Sequence, residues 1–173
     1  MLTKALVAAA IVWPLAAGGA VWHRASHPDG RPGLGATVVY LAGGRICHQR
    51  PERSFATRDV QWPVCARCSG LYLAAPFGAL ALLARRRTDW RARASARAAR
   101  PGLKPGASDY GAHWLQPVRL LALAAIPTAL TLLWEWGGMG TPSNLIRFAT
   151  ALPLGAAVMW VLLQVAGTRE SIG

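Results

Sequence analysis

The feature that most constrains this chain is a set of four long apolar segments whose interiors carry little or no charge. A helix that crosses the hydrocarbon core of a bilayer needs about 20 mostly apolar residues, and about 17 at the short limit. The four segments meet this length: residues 5–22, 68–84, 114–136 and 148–168. The sequence therefore predicts an all-α, polytopic membrane helix bundle of about four transmembrane helices, forming a single membrane domain over residues 1–173.

The composition favours the same class. Charged residues make up 15% of the chain, whereas a soluble domain carries about 25%. The hydrophobic fraction of 53% excludes intrinsic disorder, and three cysteines are too few for a disulfide-dense secreted scaffold.

The first apolar segment has a second interpretation. Lys4, a short apolar core and the small residues Gly18, Gly19 and Ala20 resemble a signal peptide. The charged region before the core is thin and the apolar run is long, so we favour a retained helix.

The distribution of basic residues predicts the orientation. Within residues 85–104 the single acid is Asp89, against eight basic residues: Arg85, Arg86, Arg87, Arg91, Arg93, Arg97, Arg100 and Lys104. Cytoplasmic loops are rich in Lys and Arg, so we expect a basic cytoplasmic loop at 85–113. The protein would then lie in the cell membrane with both termini in the cytoplasm, and residues 23–67 and 137–144 would face outward.

The same charge bears on partners. We expect the lipid bilayer as a partner, and we favour the interpretation of the basic run as a topology signal only. The alternative is that residues 85–104 bind anionic lipid, because a basic stretch next to a bilayer attracts it. We expect no nucleic-acid partner, because the charge lies in a short loop tethered to the membrane.

All three cysteines lie in the first loop or at its end. Cys47 is followed by His48, and Cys65 and Cys68 form a C-x-x-C hook. Thiolates and imidazole are the ligands that zinc prefers. We therefore predict a zinc-like metal site of Cys47, His48, Cys65 and Cys68, in which His48 is the least certain ligand because adjacent side chains need a local turn to reach one ion.

Two other interpretations stay open. Cys65 and Cys68 precede the second span, where the helix dipole and Arg67 would lower a thiol pKa, as in a thiol–disulfide oxidoreductase. Alternatively, the cysteines only pin the loop in a structural subunit or scaffold. The residues identify neither a reaction nor a catalytic group, so the sequence leaves open whether the protein is an enzyme.

Polar residues near the predicted site form a second group: Gln49, Glu52, Arg53, Arg67, Glu135 and Arg147. Ionisable residues at membrane depth are costly and usually paired, so we expect a Glu135–Arg147 ion pair. The alternative is that Glu135 faces the metal or a substrate. We also expect residues 45–63 to fold back over this end of the bundle, anchored by Phe55 and Trp62. Arg53 or Arg50 would then pair with a carboxylate there.

Two stretches carry a family resemblance. Residues 47–55, Cys-His-Gln-Arg-Pro-Glu-Arg-Ser-Phe, and residues 65–72, Cys-Ala-Arg-Cys-Ser-Gly-Leu-Tyr, resemble domain-of-unknown-function family 2085 of bacterial and archaeal membrane proteins. A weaker likeness lies in Ser143, Asn144, Arg147 and Thr150, and the whole covers about residues 40–165. Ala74 and Ala151 depart from it, since glycine is expected there for close helix contact. The resemblance implies the architecture and the place of the site, and no reaction.

Overall fold

A computed structural model of the protein describes residues 1–27, 30, 33–99 and 115–170. This part of the chain contains five α-helices, one 3-10 turn and one two-stranded sheet. The elements are α1 (Leu2–Ser26), α2 (Leu34–Ile46), the 3-10 turn (Pro51–Arg53), β1 (Ser54–Thr57), β2 (Val60–Cys65), α3 (Ala66–Ala99), α4 (Leu115–Trp136) and α5 (Asn144–Glu170).

Four of the helices, α1, α3, α4 and α5, are long and apolar enough to cross a membrane. They coincide with the four predicted spans, so the predicted all-α membrane bundle is confirmed. Trp114, with which the third predicted span begins, lies outside the described residues. Each of these helices contains a proline, which a membrane helix tolerates because its neighbours satisfy the freed carbonyl. The prolines are Pro14, Pro76, Pro127 and Pro153.

The closest helix contact joins α3 and α5, which run parallel. A Cβ atom on Gly70 would overlap the Phe148 carbonyl oxygen, and one on Gly78 would overlap that of Ala156. Small residues four apart let membrane helices approach until their backbones touch. Glycine at these positions therefore sets the distance between the two helices.

Alanine completes this contact where the family resemblance led us to expect glycine. Ala74 and Ala151 are buried in the bundle, with 3% and 0% of their surface exposed. The closest approaches are made by glycines one turn away, so a methyl group fits at both positions.

The beginning of α1 packs on the later turns of α3 and α5. Leu6 and Ala10 lie against a buried cluster of Ala79, Leu82, Met159 and Leu163. Further along α1, Trp13 meets Tyr72 edge to face, with ring centroids 5.9 Å apart. The start of α1 and the ends of α3 and α5 thus share one end of the bundle, the arginine end, which carries Arg85–Arg87. The three cysteines mark the opposite, cysteine end.

The segment between α1 and α3 is more ordered than the loop that the sequence predicts over residues 23–67. It contains α2, the 3-10 turn and an antiparallel hairpin in which Ser54 pairs with Cys65. Arg58 and Asp59 form its turn with positive φ angles of 49° and 64°.

This segment folds back over the cysteine end, as predicted. Phe55 packs against Phe148 of α5 and Trp62 of β2, with ring centroids 5.7 and 6.2 Å apart. The Asn144 side chain donates a 3.0 Å hydrogen bond to the Ser54 carbonyl oxygen.

Helix α3 extends into the segment predicted as a basic loop at 85–113. It continues to Ala99, so residues 85–99 are helical rather than a loop, while residues 100–113 lie outside the described part of the chain. A helix of 34 residues is about 51 Å long, which exceeds the hydrocarbon core by about 20 Å. The arginine-rich turns therefore project beyond the apolar part of the bundle.

Candidate metal centre

Three elements meet to bring the cysteines together. Cys47 follows the last residue of α2, Cys65 ends β2, and Cys68 lies in the first turn of α3. Their sulfur atoms all lie within 4.8 Å of one another, and all three are half-buried free thiols. The backbone N–H of Cys65 donates a 3.2 Å hydrogen bond to the Cys47 sulfur. A single metal ion can contact all three sulfurs with small side-chain adjustments.

Gln49 fixes the chain that follows Cys47. Its side-chain amide donates hydrogen bonds to the carbonyl oxygens of Tyr40, at 3.0 Å, and Pro63, at 2.6 Å. Gln61 donates in return to the Gln49 carbonyl oxygen at 2.5 Å. Gln49 adopts a left-handed backbone conformation, with a φ angle of 47°. Gln49, predicted as part of the polar surround, thus positions the Cys47 loop on α2 and β2.

Gly43 makes this contact possible. A Cβ atom at this position would overlap the Pro63 carbonyl oxygen and lie 3.0 Å from the Gln49 side-chain nitrogen. Only glycine lets α2 lie this close to β2, and the distance between the two elements places Cys47 beside Cys65.

His48 lies apart from the three-sulfur group. Its side chain is exposed, and its ring nitrogens are not within the cluster formed by the cysteines. It does line the same cavity, whose volume is about 460 Å³. The structure therefore brings three of the four predicted ligands together and places the fourth at the cavity wall.

Arginines line the rest of the cavity. They are Arg50, Arg53, Arg67 and Arg147. Arg50 is exposed, whereas the Arg147 side chain is only 4% exposed. The Nε atoms of Arg67 and Arg147 are buried without a hydrogen-bond partner among the described residues. Thiols and a concentration of positive charge thus line the same cavity.

Glu135 is the carboxylate that three of these arginines share. Arg53 and Arg147 lie 2.7 and 3.2 Å from its Oε1 atom, and Arg67 lies 3.1 Å from Oε2. The predicted Glu135–Arg147 ion pair and the predicted pairing of Arg53 with a carboxylate are both confirmed. The alternative, in which Glu135 faces the metal, is not favoured, because arginines occupy both carboxylate oxygens.

Glu52 has no part in either cluster. It lies exposed on the 3-10 turn, and it neither lines the cavity nor pairs with the arginines around Glu135.

The cysteine cluster changes the acidity of Cys65. The pKa of Cys65 is lowered to about 5, chiefly because the Cys68 thiol donates a hydrogen bond to its sulfur. Burial opposes this effect, and hydrogen bonds from the backbone and from Cys47 reinforce it. A thiolate at neutral pH is the form that binds a metal ion or attacks a disulfide.

The region that contains the site matches a known protein family. Residues 47–161 match the family described as predicted membrane protein DUF2085. The chain belongs to this family. The matched region begins at Cys47 and contains all three cysteines, Glu135 and Arg147.

A relative in Methanothermobacter thermautotrophicus, an uncharacterized protein, is 30% identical over 129 residues. The alignment covers 69% of this chain and 87% of the relative. No solved structure matches the chain.

Sequence reasoning missed the residues that position the site rather than form it. Tyr40 donates a 2.6 Å hydrogen bond to the Gln61 carbonyl oxygen. This hydrogen bond and the close approach of Gly43 to Pro63 join α2 to the hairpin. Neither element was expected in a segment interpreted as a loop, so these contacts had no signal in the sequence.

Proposed function

We propose that this protein is a membrane metal-binding protein that holds one zinc ion between the thiolates of Cys47, Cys65 and Cys68. The observation that carries the proposal is the approach of the three sulfur atoms to within 4.8 Å of one another. Zinc in proteins is typically four-coordinate, and thiolate and imidazole are its preferred ligands. Cysteines from three separate elements would then be fixed by a single ion.

His48 is the proposed fourth ligand, and an exchangeable one. Its ring lines the same cavity as the cysteines but is exposed, whereas the three thiols are half-buried. When the imidazole turns away, the fourth position opens to the cavity. A site that opens in this way would permit metal transfer or catalysis, whereas a permanently closed one is structural.

The surrounding charge supports a thiolate cluster. One zinc ion with three thiolates has a net charge of −1, which is costly to bury unless it is compensated. Arg67 and Arg147 line the same cavity and would supply that compensation. They do so without occupying the metal, because arginine has no acceptor atom.

Cobalt substitution tests the proposal. Co²⁺ is added to the reduced, detergent-purified protein, because thiolate-to-cobalt charge-transfer bands report sulfur ligands directly. We expect such bands in the wild type and lower intensity in Cys47→Ser, Cys65→Ser and Cys68→Ser. His48→Ala should keep the charge-transfer bands and change only the d–d bands, whereas the exposed His27→Ala is the matched control and should change neither. Wild-type protein without charge-transfer bands would overturn the metal site.

A second candidate function is a thiol–disulfide oxidoreductase, which the approach of the Cys65 and Cys68 sulfur atoms to within 4.8 Å favours, together with the lowered pKa of Cys65. In that reaction the Cys65 and Cys68 thiols form one S–S bond, and two electrons and two protons pass to a disulfide substrate, which becomes two thiols. Alkylation of intact cells separates the two functions. The oxidoreductase predicts a Cys65–Cys68 disulfide that dithiothreitol reduces, whereas the zinc site predicts three reduced thiols that become reactive only after chelation.

We also infer the orientation of the protein in the cell membrane. The support is that Arg85, Arg86 and Arg87 lie where α3 leaves the bundle, and cytoplasmic segments are the ones rich in arginine. The cysteine end would then face outward and both termini would lie in the cytoplasm. The projecting turns of α3 would meet anionic lipid headgroups of the inner leaflet.

A further inference from the structure

We propose that the cavity beside the cysteines and an adjoining apolar groove form one binding site for a phosphorylated lipid. The phosphate monoester would bind the arginines of the cavity, and the hydrocarbon chain would lie in the groove. This inference goes beyond the metal site and does not depend on it, because it rests on the arginines of the cavity and on the apolar groove.

The cavity has a surplus of positive charge and should therefore bind an anion. Four arginines line it, and the carboxylate of Glu135 neutralises one of their charges. A zinc–thiolate cluster would neutralise one more, which leaves two positive charges. A phosphate monoester carries a charge of about −1.5 to −2 at neutral pH, so it matches the two positive charges that remain beside the metal, and three positive charges attract it when the metal is absent.

The arginines also have unfilled donors. Arg147 is 4% exposed, yet its Nε atom has no hydrogen-bond partner in the described part of the chain, and the same holds for Nε of Arg67. Arg50 lines the cavity and forms no ion pair with a described carboxylate. Guanidinium groups bind phosphate oxygens through paired N–H donors, so a phosphate would fill donors that the protein leaves free.

The groove lies next to this cavity. It has a volume of about 470 Å³, and its walls come from α1, α3, α5 and the last residue of α2, with no polar surface. Ile46 lines both the groove and the charged cavity, so the two are neighbours. A ligand with a charged head and an apolar tail fits both at once.

One residue that lines the groove has a buried polar atom without a partner. Trp13 lines it, and its Nε1 atom is buried without a hydrogen-bond partner among the residues described. The ester or hydroxyl oxygen that joins a lipid headgroup to its chain is an acceptor for such a donor. The combination of apolar walls and one indole N–H is typical of a lipid site.

The headgroup charge separates this site from the general binding of bilayer lipid. Bulk zwitterionic lipid would also fill an apolar groove, but its headgroup brings a cation toward Arg50, Arg53 and Arg67. A free phosphate ion would satisfy the arginines and leave the groove unused. A phosphorylated amphiphile uses both parts of the site.

Calorimetric titration of the detergent-purified protein tests this with three soluble probes: short-chain phosphatidic acid, short-chain phosphatidylcholine and inorganic phosphate. We expect phosphatidic acid to bind at least about tenfold more tightly than either of the others, since one charge-assisted hydrogen bond is worth about that factor. Equal affinities for phosphatidic acid and phosphatidylcholine would overturn the proposal, because the groove would then bind bilayer lipid without selecting its headgroup. Equal affinities for phosphatidic acid and inorganic phosphate would also overturn it, because the hydrocarbon chain would then contribute nothing to binding.

Three variants locate the site. Arg50→Gln should weaken phosphatidic acid binding about tenfold, whereas Arg45→Gln, an exposed arginine of α2 that does not line the cavity, is the matched control and should leave it unchanged. Ala9→Phe, at an exposed position of the groove wall, should weaken phosphatidic acid and leave phosphate binding unchanged. If Arg50→Gln and Arg45→Gln behave alike, the phosphate does not bind in this cavity. All three variants keep the three cysteines, so failure of the lipid site is distinguishable from failure of the metal site.

Discussion

The guanidinium of Arg147 lies 3.2 Å from Oε1 of Glu135, and both side chains are almost fully buried, with 4% and 6% exposed. Two further arginines reach the same carboxylate, Arg53 from the 3-10 turn and Arg67 from α3. One side chain of α4 therefore joins the folded-back segment, α3 and α5. This junction lies beside the cysteine cluster, so the stability of the cysteine end depends on it.

Glu135→Gln should destabilise the protein strongly. The substitution leaves three arginines without their counter-charge, and breaking a buried ion pair costs about 3 kcal/mol or more. Unfolding in mixed micelles of increasing SDS content, followed by tryptophan fluorescence, measures the loss. The control is Asp89→Asn, which removes an exposed pair with Arg85 at 3.8 Å and should cost about 0.5 kcal/mol or less. Equal effects of the two variants would show that the Glu135 junction does not stabilise the fold.

Gly78→Ala should also destabilise the bundle, although alanine is the better helix former. The added methyl group would overlap the Ala156 carbonyl oxygen, and overpacking of this kind costs about 1–3 kcal/mol. Gly18→Ala is the matched control, because no atom lies within 4 Å of its Cβ position in α1. In Gly18→Ala, the gain in helix propensity should stabilise the protein by up to about 1 kcal/mol. The same SDS titration measures the stability of both variants. A change of stability in the same direction for both would contradict the close α3–α5 contact.

The bundle followed from the sequence because membrane spans have a strong local signature. About 20 apolar residues between charges predict a spanning helix without knowledge of its neighbours. Ionisable residues at the span ends were equally informative, since a buried charge must be paired. Glu135 and Arg147 were therefore predicted as partners across the α4–α5 connection.

The helix and the hairpin between α1 and α3 did not follow from the sequence. Helix α2 has 13 residues, too few to span a membrane, and the hairpin turn at Arg58 and Asp59 lacks the glycine that usually marks such turns. The hydrogen bonds of Gln49 depend on where both elements lie. Local patterns carry no information of this kind, so the sequence singled out the cysteines and Gln49 but not the contacts that bring them together.

Cys65 should react with iodoacetamide at pH values where ordinary thiols are protonated. Its pKa is lowered to about 5, so the thiolate predominates above that pH and is lost as pH falls through it. In reduced, zinc-free protein the alkylation rate of Cys65 should change little between about pH 6.5 and 8 and decline near pH 5. Cys68→Ala removes the main hydrogen-bond donor to Cys65. In this variant the alkylation rate of Cys65 should therefore begin to decline at a higher pH than in the wild type. A rate that is the same function of pH in both proteins would contradict the role of Cys68.

The inferred orientation predicts which loops are accessible in cells. An epitope inserted after Gly140, in the connection between α4 and α5, should bind antibody on intact spheroplasts. Green fluorescent protein fused to the C-terminus should fluoresce, because it folds in the cytoplasm. Antibody binding only after permeabilisation, with a dark fusion, would reverse the orientation.

The most direct test of the account is the metal content of the purified protein. Wild-type protein, extracted in detergent under reducing conditions and analysed by inductively coupled plasma mass spectrometry, should contain close to one zinc per chain. His48→Ala should retain most of it, and Cys68→Ser should lose nearly all of it while still eluting as a folded species. Less than about a tenth of an equivalent of metal in the wild type would contradict the claim that Cys47, Cys65 and Cys68 form a zinc site.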